Sequence, residues 1–403
     1  MNSPGRAVDF STLQSKVAEA AALAGRQFTA IESFCGPGGM SLGLSRAGFT
    51  VLKAFDIDEP SVATHNFNLG DKAFVGDAKL QSGAELLSGT GVNVGELDLF
   101  AGGPPCQGFS KQRRGAHLGD DRNDLVMDYI RLVQEIQPRF FFFENVAIFG
   151  QKRGREYLRE MIAGLSHYDI ESCIVNSANF GLAQTRERFL VVGRRWDVPS
   201  GFVFPGPLAG KWQKVGDVLS GLPEPPADYS AHPNYPNHQR AKVTAINLER
   251  FSHVPQGGGW RDIPEDLRLP CHQRVDSSKG GWPDVYGRLK WDGQCPTITG
   301  GFDSFTRGRY GHPLSDRPLT PREAARLQGF PDDFAFAGNR GDVRSQIGNA
   351  VPPPVSFGVG TEILRSLLTA EGVLNPAVAT ELVLQLHVPA SSDAEKMSVL
   401  RAS

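Results

Sequence analysis

Residues 28–47 have the sequence FTAIESFCGPGGMSLGLSRA, in which an apolar run meets a glycine-rich turn and then a segment with helical spacing. The run Phe28–Ser33 is short and apolar, as expected of a buried strand. Leu42, Leu44 and Ala47 continue as a helix. Glycines between the two let the backbone approach a ligand closely, and the helix start offers free N–H groups. The stretch therefore predicts a strand–turn–helix unit built for binding.

Outward from this unit, strand and helix patterns alternate over about 165 residues. Further strands are predicted at 51–56, 97–102, 139–145, 170–176 and 189–192, and helices at 124–137 and 156–165. The run RFFFFEN at 139–145 is too apolar to be half exposed. Such alternation predicts an α/β fold with a doubly wound, mostly parallel sheet.

Composition changes after Arg195. Residues 196–317 are rich in Pro, Gly, His and Trp, so we expect a small irregular domain of short strands and loops. A helix beginning at Pro321 and a last apolar helix at about 355–368 follow. We accordingly divide the chain into a leader (1–27), a first sheet segment (28–195), the insert (196–317), a returning segment (318–370) and a tail (371–403).

Composition excludes several classes of protein. The 403 residues carry 42 Lys and Arg against 44 Asp and Glu, with no uninterrupted apolar stretch of membrane-spanning length. Neither a signal peptide nor a regular cysteine framework is present, so we expect a cytoplasmic protein with reduced thiols and no metal site. Residues 184–322 have 19 Lys and Arg against 14 Asp and Glu. A basic insert on an otherwise acidic protein can bind phosphates on one face. An ordinary solvated surface would show the same numbers of charged residues.

Two carboxylates follow strands near the glycine turn. Asp56 ends the second predicted strand, where it can accept hydrogen bonds from a ribose diol. Asp77, in the sequence VGD at 75–77, ends a further strand, the third along the chain. Each feature alone is more often structural than functional. Together with the turn they favour an adenosine-type ligand, and the absence of GxGxxG and GK[ST] weakens the dinucleotide and P-loop interpretations.

GGPPCQGFS, residues 102–110, follows the fourth strand. Two prolines stiffen the approach to Cys106, which places a thiol at the sheet edge where α/β enzymes put their active sites. Arg113, Arg114 and Arg122 make the following loop basic, which favours a thiolate and attracts phosphates. We therefore prefer a nucleophile to a buried structural thiol at Cys106.

Two further groups of charged residues stand near strand ends. Glu144 ends the Phe-rich strand, where apolar surroundings favour the protonated acid and make it a candidate general acid; the alternative is an exposed strand-end carboxylate. Alternation points Arg186 and Arg188 to one side of a strand, from which they can bind a base edge or phosphate. The alternative for the arginines is a surface ion-pair cluster.

These motifs, in this order, resemble the bacterial type of DNA (cytosine-5) methyltransferase. The matching segments are FCGPGG (34–39), AFDID (54–58), VGD (75–77), GGPPCQGFS (102–110), FFENV (142–146), QTRERF (184–189), RPLTPREAARLQGFPD (317–332) and SQIGNAVPPP (345–354). The leader, most of 196–317 and the tail lie outside the resemblance. It implies a Rossmann-like S-adenosylmethionine-dependent methyltransferase fold with a mixed, mostly parallel, doubly wound sheet. Residues 28–195 and 318–370 would form the catalytic domain, and 196–317 a small irregular target-recognition domain.

The resemblance also implies a cofactor site for S-adenosylmethionine. Residues 34 and 36–39 would surround its methionine part, Asp56 would bind the ribose and Ile57 would cover the adenine. The full implied set is Phe34, Gly36, Pro37, Gly38, Gly39, Asp56, Ile57, Asp77, Ala78, Pro105, Leu125, Asn349 and Ala350.

The implied reaction begins when the Cys106 thiolate adds to carbon-6 of cytosine, which makes carbon-5 nucleophilic. Glu144 would protonate or hydrogen-bond ring nitrogen-3, Arg188 would bind the carbonyl oxygen, and Arg186 would support that site or the backbone. The base must leave the duplex to react. Implied DNA contacts are Gln107, Ser110, Arg113, Arg114 and Arg122 in the loop, with Arg307 and Arg309 as candidates for guanine edges or phosphates.

Three alternatives are weighed against this function. An RNA cytosine-5 methyltransferase shares the fold, but the GFS after PPCQ and the large insert favour double-stranded DNA. A binding-only relative would be expected to lose Cys106, Glu144 or Arg188, and a nicotinamide-dependent dehydrogenase has no use for Cys106. We expect a monomer that acts alone or alongside a restriction endonuclease.

Overall fold

The computed structural model describes residues 10–105, 124–150, 155–206, 212–273 and 284–374. The first elements are α1 (Phe10–Leu23), β1 (Phe28–Ser33), α2 (Gly39–Arg46), β2 (Phe49–Asp56), α3 (Glu59–Leu69), β3 (Ala73–Val75), α4 (Gly83–Leu87), β4 (Leu99–Gly102), α5 (Asp124–Ile136), β5 (Phe140–Val146), α6 (Arg155–Gly164) and β6 (Tyr168–Asn176). They are followed by β7 (Gln184–Thr185), β8 (Glu187–Arg195), α7 (Val215–Leu219), α8 (Ala245–Ser252), α9 (Pro270–Gln273), β9 (Cys295–Pro296), α10 (Pro321–Leu327), α11 (Arg340–Asn349) and α12 (Pro353–Ala370).

Seven of these strands form one sheet in the order β3-β2-β1-β4-β5-β8-β6. Strands β3, β2, β1, β4 and β5 pair in parallel, whereas β8 runs antiparallel to both of its neighbours. The predicted mixed, mostly parallel sheet is therefore confirmed. Strand order reverses between β1 and β4, and such a reversal opens a crevice at the carboxyl edge of the sheet.

The Phe-rich strand β5 is buried at the centre of the sheet. Phe140 to Phe143 are all fully buried. Phe141 and Phe143 share a core with Tyr129 of α5, whereas the Phe140 ring meets Phe202, 6.4 Å away between centroids. The Tyr129 hydroxyl donates to the carbonyls of Phe100 and Phe142, at 3.2 and 3.0 Å. Layers on both faces thus cover this strand, as its unbroken apolar run predicts.

The last helix returns to the beginning of the sheet. α12 packs on α2, the helix that directly follows β1. The two backbones approach closely at Gly43, where an added Cβ would lie 2.1 Å from Ser356 Oγ and 2.3 Å from the Pro353 carbonyl oxygen. Such an approach requires a residue without a side chain.

The described part of 196–317 differs from its prediction. Apart from isolated bridges it contains one two-residue strand, β9, which pairs with β7. The rest consists of short helical turns and loops around an aromatic core, in which the Phe251 and Phe305 rings stack with centroids 4.1 Å apart. Short strands were expected, but prolines and glycines remove the hydrogen-bond donors and stiffness that strands need.

The helix predicted from Pro321 is confirmed as α10. Pro321 occupies its first position, and the Thr320 hydroxyl accepts a hydrogen bond from the Glu323 N–H at 3.2 Å. The Glu323 carboxylate in turn receives two bonds from the buried Arg317 guanidinium, at 2.8 and 2.7 Å. Thr320 and Glu323 thus form a capping box, as the motif TPRE at 320–323 predicts.

The chain divides into two compact units. The first comprises Met1–Phe180, Glu187–Lys211 and Val351–Ser403, and the second comprises Gly181–Arg186 and Trp212–Ala350. The second unit therefore differs from the insert inferred from composition at both ends: it lacks residues 196–211, and it includes 181–186 and 318–350.

No helix among the described residues is long and apolar enough to cross a membrane.

Candidate active site

The glycine turn after β1 is joined directly to the end of β2. The backbone N–H of Gly36 donates to Asp56 Oδ2 at 2.8 Å, and the Cys35 N–H donates to the Phe55 carbonyl at 3.0 Å. Phe34, Gly36 and Gly38 all have positive φ, at 54°, 50° and 98°. This left-handed path turns the chain sharply at the carboxyl edge of the sheet.

The surface over this turn is suited to a ligand. An added Cβ at Gly36 would have no atom within 4 Å, so the space beside this residue is open. Ile57, which follows Asp56 at the end of β2, is 69% exposed and so leaves an apolar side chain accessible at this edge of the sheet. Burial raises the pKa of the Asp56 carboxyl, and the N–H groups of Gly36 and Asp58 oppose that shift.

The other predicted cofactor residues occupy several places. Asp77 lies two residues beyond the end of β3, where its Oδ1 accepts from the Lys79 N–H at 3.0 Å, and Ala78 is buried. Leu125, on α5, is partly buried. Asn349 ends α11 and is exposed, and Ala350 caps the same helix; both belong to the second unit.

A buried polar chain behind the glycine turn was missed by the sequence analysis. Glu32 of β1, Ser41 of α2 and His65 of α3 are each at most 1% exposed. The Ser41 hydroxyl donates to Glu32, and His65 Nε2 lies 3.0 Å from the same hydroxyl oxygen. Burial raises the pKa of Glu32 to about 8 and lowers that of His65 to about 4. A glutamate inside the apolar run FTAIES was the available sign, because a buried carboxyl needs a partner.

The exit of β4 leads towards the predicted nucleophile. β4 ends at Gly102, and Gly103 follows so close to β5 that an added Cβ would lie 3.4 Å from Glu144 Oε2. Pro105 is partly buried. Cys106, Gln107, Ser110, Arg113, Arg114 and Arg122 lie outside the described residues.

Glu144 and Arg188 form an ion pair between β5 and β8. Arg188 Nε lies 2.8 Å from Glu144 Oε1, and the side chains are 12% and 10% exposed. Burial lowers the pKa of the Arg188 guanidinium, and the Glu144 charge opposes that shift. Glu144 is therefore not in the purely apolar setting that the sequence suggested, because an arginine faces it from the neighbouring strand.

Arg186 and Arg188 do not share one face of a strand, so that expectation is wrong. β8 begins at Glu187, and Arg186 belongs to the second unit, where its Nη1 donates to the Ile298 carbonyl at 2.9 Å. Its Nη2 donates to the carbonyls of Gly348 and Ala350, at 3.1 and 3.2 Å. Arg186 is 2% exposed and ties together segments far apart in sequence.

The two arginines proposed for DNA differ in their surroundings. Arg307 is exposed. Arg309 donates from Nη1 to the carbonyls of Gly257 and Gly258, at 2.7 and 2.6 Å, and lies 3.4 Å from Asp284. Arg309 is thus engaged within its own unit, whereas Arg307 faces solvent.

Comparison with known proteins gives concordant matches. A family model described as C-5 cytosine-specific DNA methylase matches residues 28–365. The chain is 32% identical to the Type II methyltransferase M.XorII of Xanthomonas oryzae, over 84% of each chain. It is 34% identical to the Type II methyltransferase M1.HphI of Haemophilus parahaemolyticus, over 84% of this chain and 87% of the relative. A solved Escherichia coli prophage protein described as a DNA modification methyltransferase aligns with a TM-score of 0.64 and 29% identity, covering 85% of this chain and 100% of that one.

Proposed function

The chain belongs to the C-5 cytosine-specific DNA methylase family, and on that premise we propose that it is a site-specific DNA (cytosine-5) methyltransferase that uses S-adenosylmethionine. The observation that carries the proposal is the placement of two sets of residues in the first unit. The glycine turn with Asp56 lies at the ends of β1 and β2, and the Glu144–Arg188 pair lies at the end of β5. The two sets flank the strand-order reversal, where α/β enzymes bind their ligands.

The residues around the glycine turn fit S-adenosylmethionine. Open space beside Gly36 admits the methionine part, and the partly buried Asp56 carboxyl can accept from the ribose hydroxyls. The exposed Ile57 would cover the adenine, and Asp77 and Ala78 would contact its edge. When bound, the cofactor supplies a methyl group on a sulfonium centre.

The protein's own residues make cytosine reactive. The Cys106 thiolate forms a bond to carbon-6, and the displaced electron pair makes carbon-5 nucleophilic enough to accept the methyl group. Glu144 holds a proton at ring nitrogen-3 during addition, and Arg188 donates to the base carbonyl oxygen. Loss of the carbon-5 proton to a base then forms the carbon-5–carbon-6 double bond, breaks the carbon-6–sulfur bond and restores the thiolate, while the proton on nitrogen-3 returns to Glu144. Arg186 supports the second unit by binding three backbone carbonyls.

In this proposal the second unit recognises the target sequence, and Arg307 is one of its exposed arginines. Double-stranded DNA is the substrate, and the base is flipped out of the helix before reaction. The enzyme acts as a monomer, either as the modification partner of a restriction endonuclease or as a solitary methylase. An RNA substrate is the second candidate, which the DNA methylase family model disfavours.

The test uses purified protein, labelled S-adenosylmethionine and mixed-sequence duplex DNA, with transfer RNA in parallel and bisulfite sequencing of the product. We expect label at cytosine carbon-5 in DNA, lost in Cys106→Ala and retained in Cys271→Ala, which removes an exposed thiol instead. Label in RNA alone would identify the protein as an RNA cytosine-5 methyltransferase. Absence of label in both substrates, with the cofactor bound, would refute the proposed reaction.

A further inference from the structure

Among the described residues, no backbone hydrogen bond holds residues 103–105, the turn that follows β4. β4 and β5 pair from Leu99↔Phe140 to Gly102↔Phe143, and their ladder ends there. The next residues of the turn include Pro104 and Pro105, neither of which has an N–H to donate. A hydrogen bond from a side chain can therefore fix the position of this segment relative to β5.

Asn145 of β5 supplies that bond. Its side chain is buried, and Nδ2 donates to the Pro104 carbonyl oxygen at 3.1 Å. Its Oδ1 accepts from the N–H of Val146 at 2.8 Å, which orients the amide with the NH₂ group towards the turn. The Asn145 side chain thus adds a hydrogen bond between β5 and the turn after β4, beyond the last backbone pair of the two strands.

We infer that Asn145 is a positioning residue for the methyl-transfer reaction, which fixes the Pro104 carbonyl and thereby the start of the Cys106 turn relative to Glu144. The inference rests on the proposed function. Asn145 and Glu144 are adjacent on β5, and Cys106 is two residues beyond Pro104. One strand therefore carries the candidate acid and also anchors the segment that leads to the nucleophile.

Asn145→Asp separates positioning from packing, because aspartate has the same shape and keeps the acceptor for the Val146 N–H. Its second oxygen would face the Pro104 carbonyl oxygen without a proton, and two acceptors repel each other. Burial favours the protonated acid, which can donate to that carbonyl, so lowering the pH restores the bond. The charged groups nearest to this position on β5 and β8 are Glu144, the neighbour of Asn145 in sequence, and Arg188, and both are present in wild type and variant alike. The ratio of variant to wild-type rates removes their contribution.

The experiment measures kcat, the KM values for cofactor and DNA, and thermal stability from pH 6 to 9 for both proteins. At pH 8 we expect kcat to fall up to about 10²-fold with the KM for S-adenosylmethionine unchanged, since small misplacements of reacting groups have effects of this size. The deficit should shrink towards pH 6. Capture of duplex DNA containing 5-fluorocytosine as a covalent adduct should be slowed in parallel, because that adduct reports thiolate addition directly.

Asn66→Asp is the matched control. Asn66 Nδ2 donates to the Ala73 carbonyl at 2.8 Å and Oδ1 accepts from the Ala73 N–H at 2.8 Å, away from β4 and β5. It should lower stability without a pH-dependent deficit in kcat. If Asn145→Asp does not fold, Asn145→Ala should give a deficit in kcat that is the same at every pH.

The outcomes separate the inference from the proposed function. An inactive wild type refutes the function. An active wild type whose Asn145→Asp variant keeps full kcat at pH 8 refutes the positioning role alone. A deficit that follows thermal stability and does not change with pH, as in Asn66→Asp, also refutes it.

Discussion

At the scale of single residues, the buried Glu32 carboxyl makes the stability of the fold depend on pH. Burial raises its pKa from 4.5 to about 8, so the folded protein keeps a proton that the unfolded chain releases. The free energy of unfolding should therefore fall as the pH rises through this range, with a slope of up to about 1.4 kcal/mol per pH unit for one proton. Glu32→Gln removes the titration, and its amide can donate to the Ser41 hydroxyl.

We predict that Glu32→Gln gains stability relative to wild type between pH 5 and 8, in urea unfolding at several pH values. Glu160→Gln, on the exposed face of α6, is the control and should leave the pH profile unchanged. Parallel profiles for wild type and Glu32→Gln would mean that Glu32 is already ionised in the folded protein.

At the scale of elements, the α2–α12 crossing depends on Gly43. An added Cβ would meet the Pro353 carbonyl oxygen at 2.3 Å and the Phe357 N at 2.7 Å, and backbone atoms cannot rotate away. We predict that Gly43→Ala lowers the free energy of unfolding by about 1–3 kcal/mol, the usual effect of overpacking. Gly201→Ala is the control, because an added Cβ there would meet nothing within 4 Å. Equal stabilities of the two variants would show that α12 can shift without loss.

The same scale shows which elements the sequence could predict. β5 and α10 were predicted because their determinants are local: an unbroken run of four phenylalanines, and a Thr-Pro-x-Glu start. α11 was not predicted, since RGDVRSQIGN has few apolar residues and its helix rests on the Asn339 cap, whose side chain accepts from the Gly341 and Asp342 N–H groups. The break before β8 was missed because Arg186 binds carbonyls more than 100 residues away in sequence. The contact of Asn145 on β5 with Pro104 in the turn after β4 joins segments that are separate in sequence, and no local pattern encodes it.

At the scale of the whole molecule, charge is distributed unevenly. Residues 184–322 carry an excess of five positive charges, although the chain as a whole has a net charge of −2. An ordinary pI therefore does not argue against a DNA substrate, because phosphate contacts depend on local charge. Affinity for duplex DNA should fall linearly with salt on logarithmic axes, with a slope proportional to the number of phosphates contacted.

The last prediction compares Arg307→Ala and Arg309→Ala by DNA binding at several salt concentrations and by thermal unfolding. Arg307 is exposed, so its loss should weaken DNA binding and reduce the salt slope by about 1 if it contacts a phosphate, with little change in stability. Arg309 binds the carbonyls of Gly257 and Gly258, so its loss should lower stability because those acceptors lose their donor. An unchanged slope in Arg307→Ala, combined with lost discrimination between DNA sequences, would instead assign this arginine to a base edge, since base contacts specify sequence and phosphate contacts position the protein.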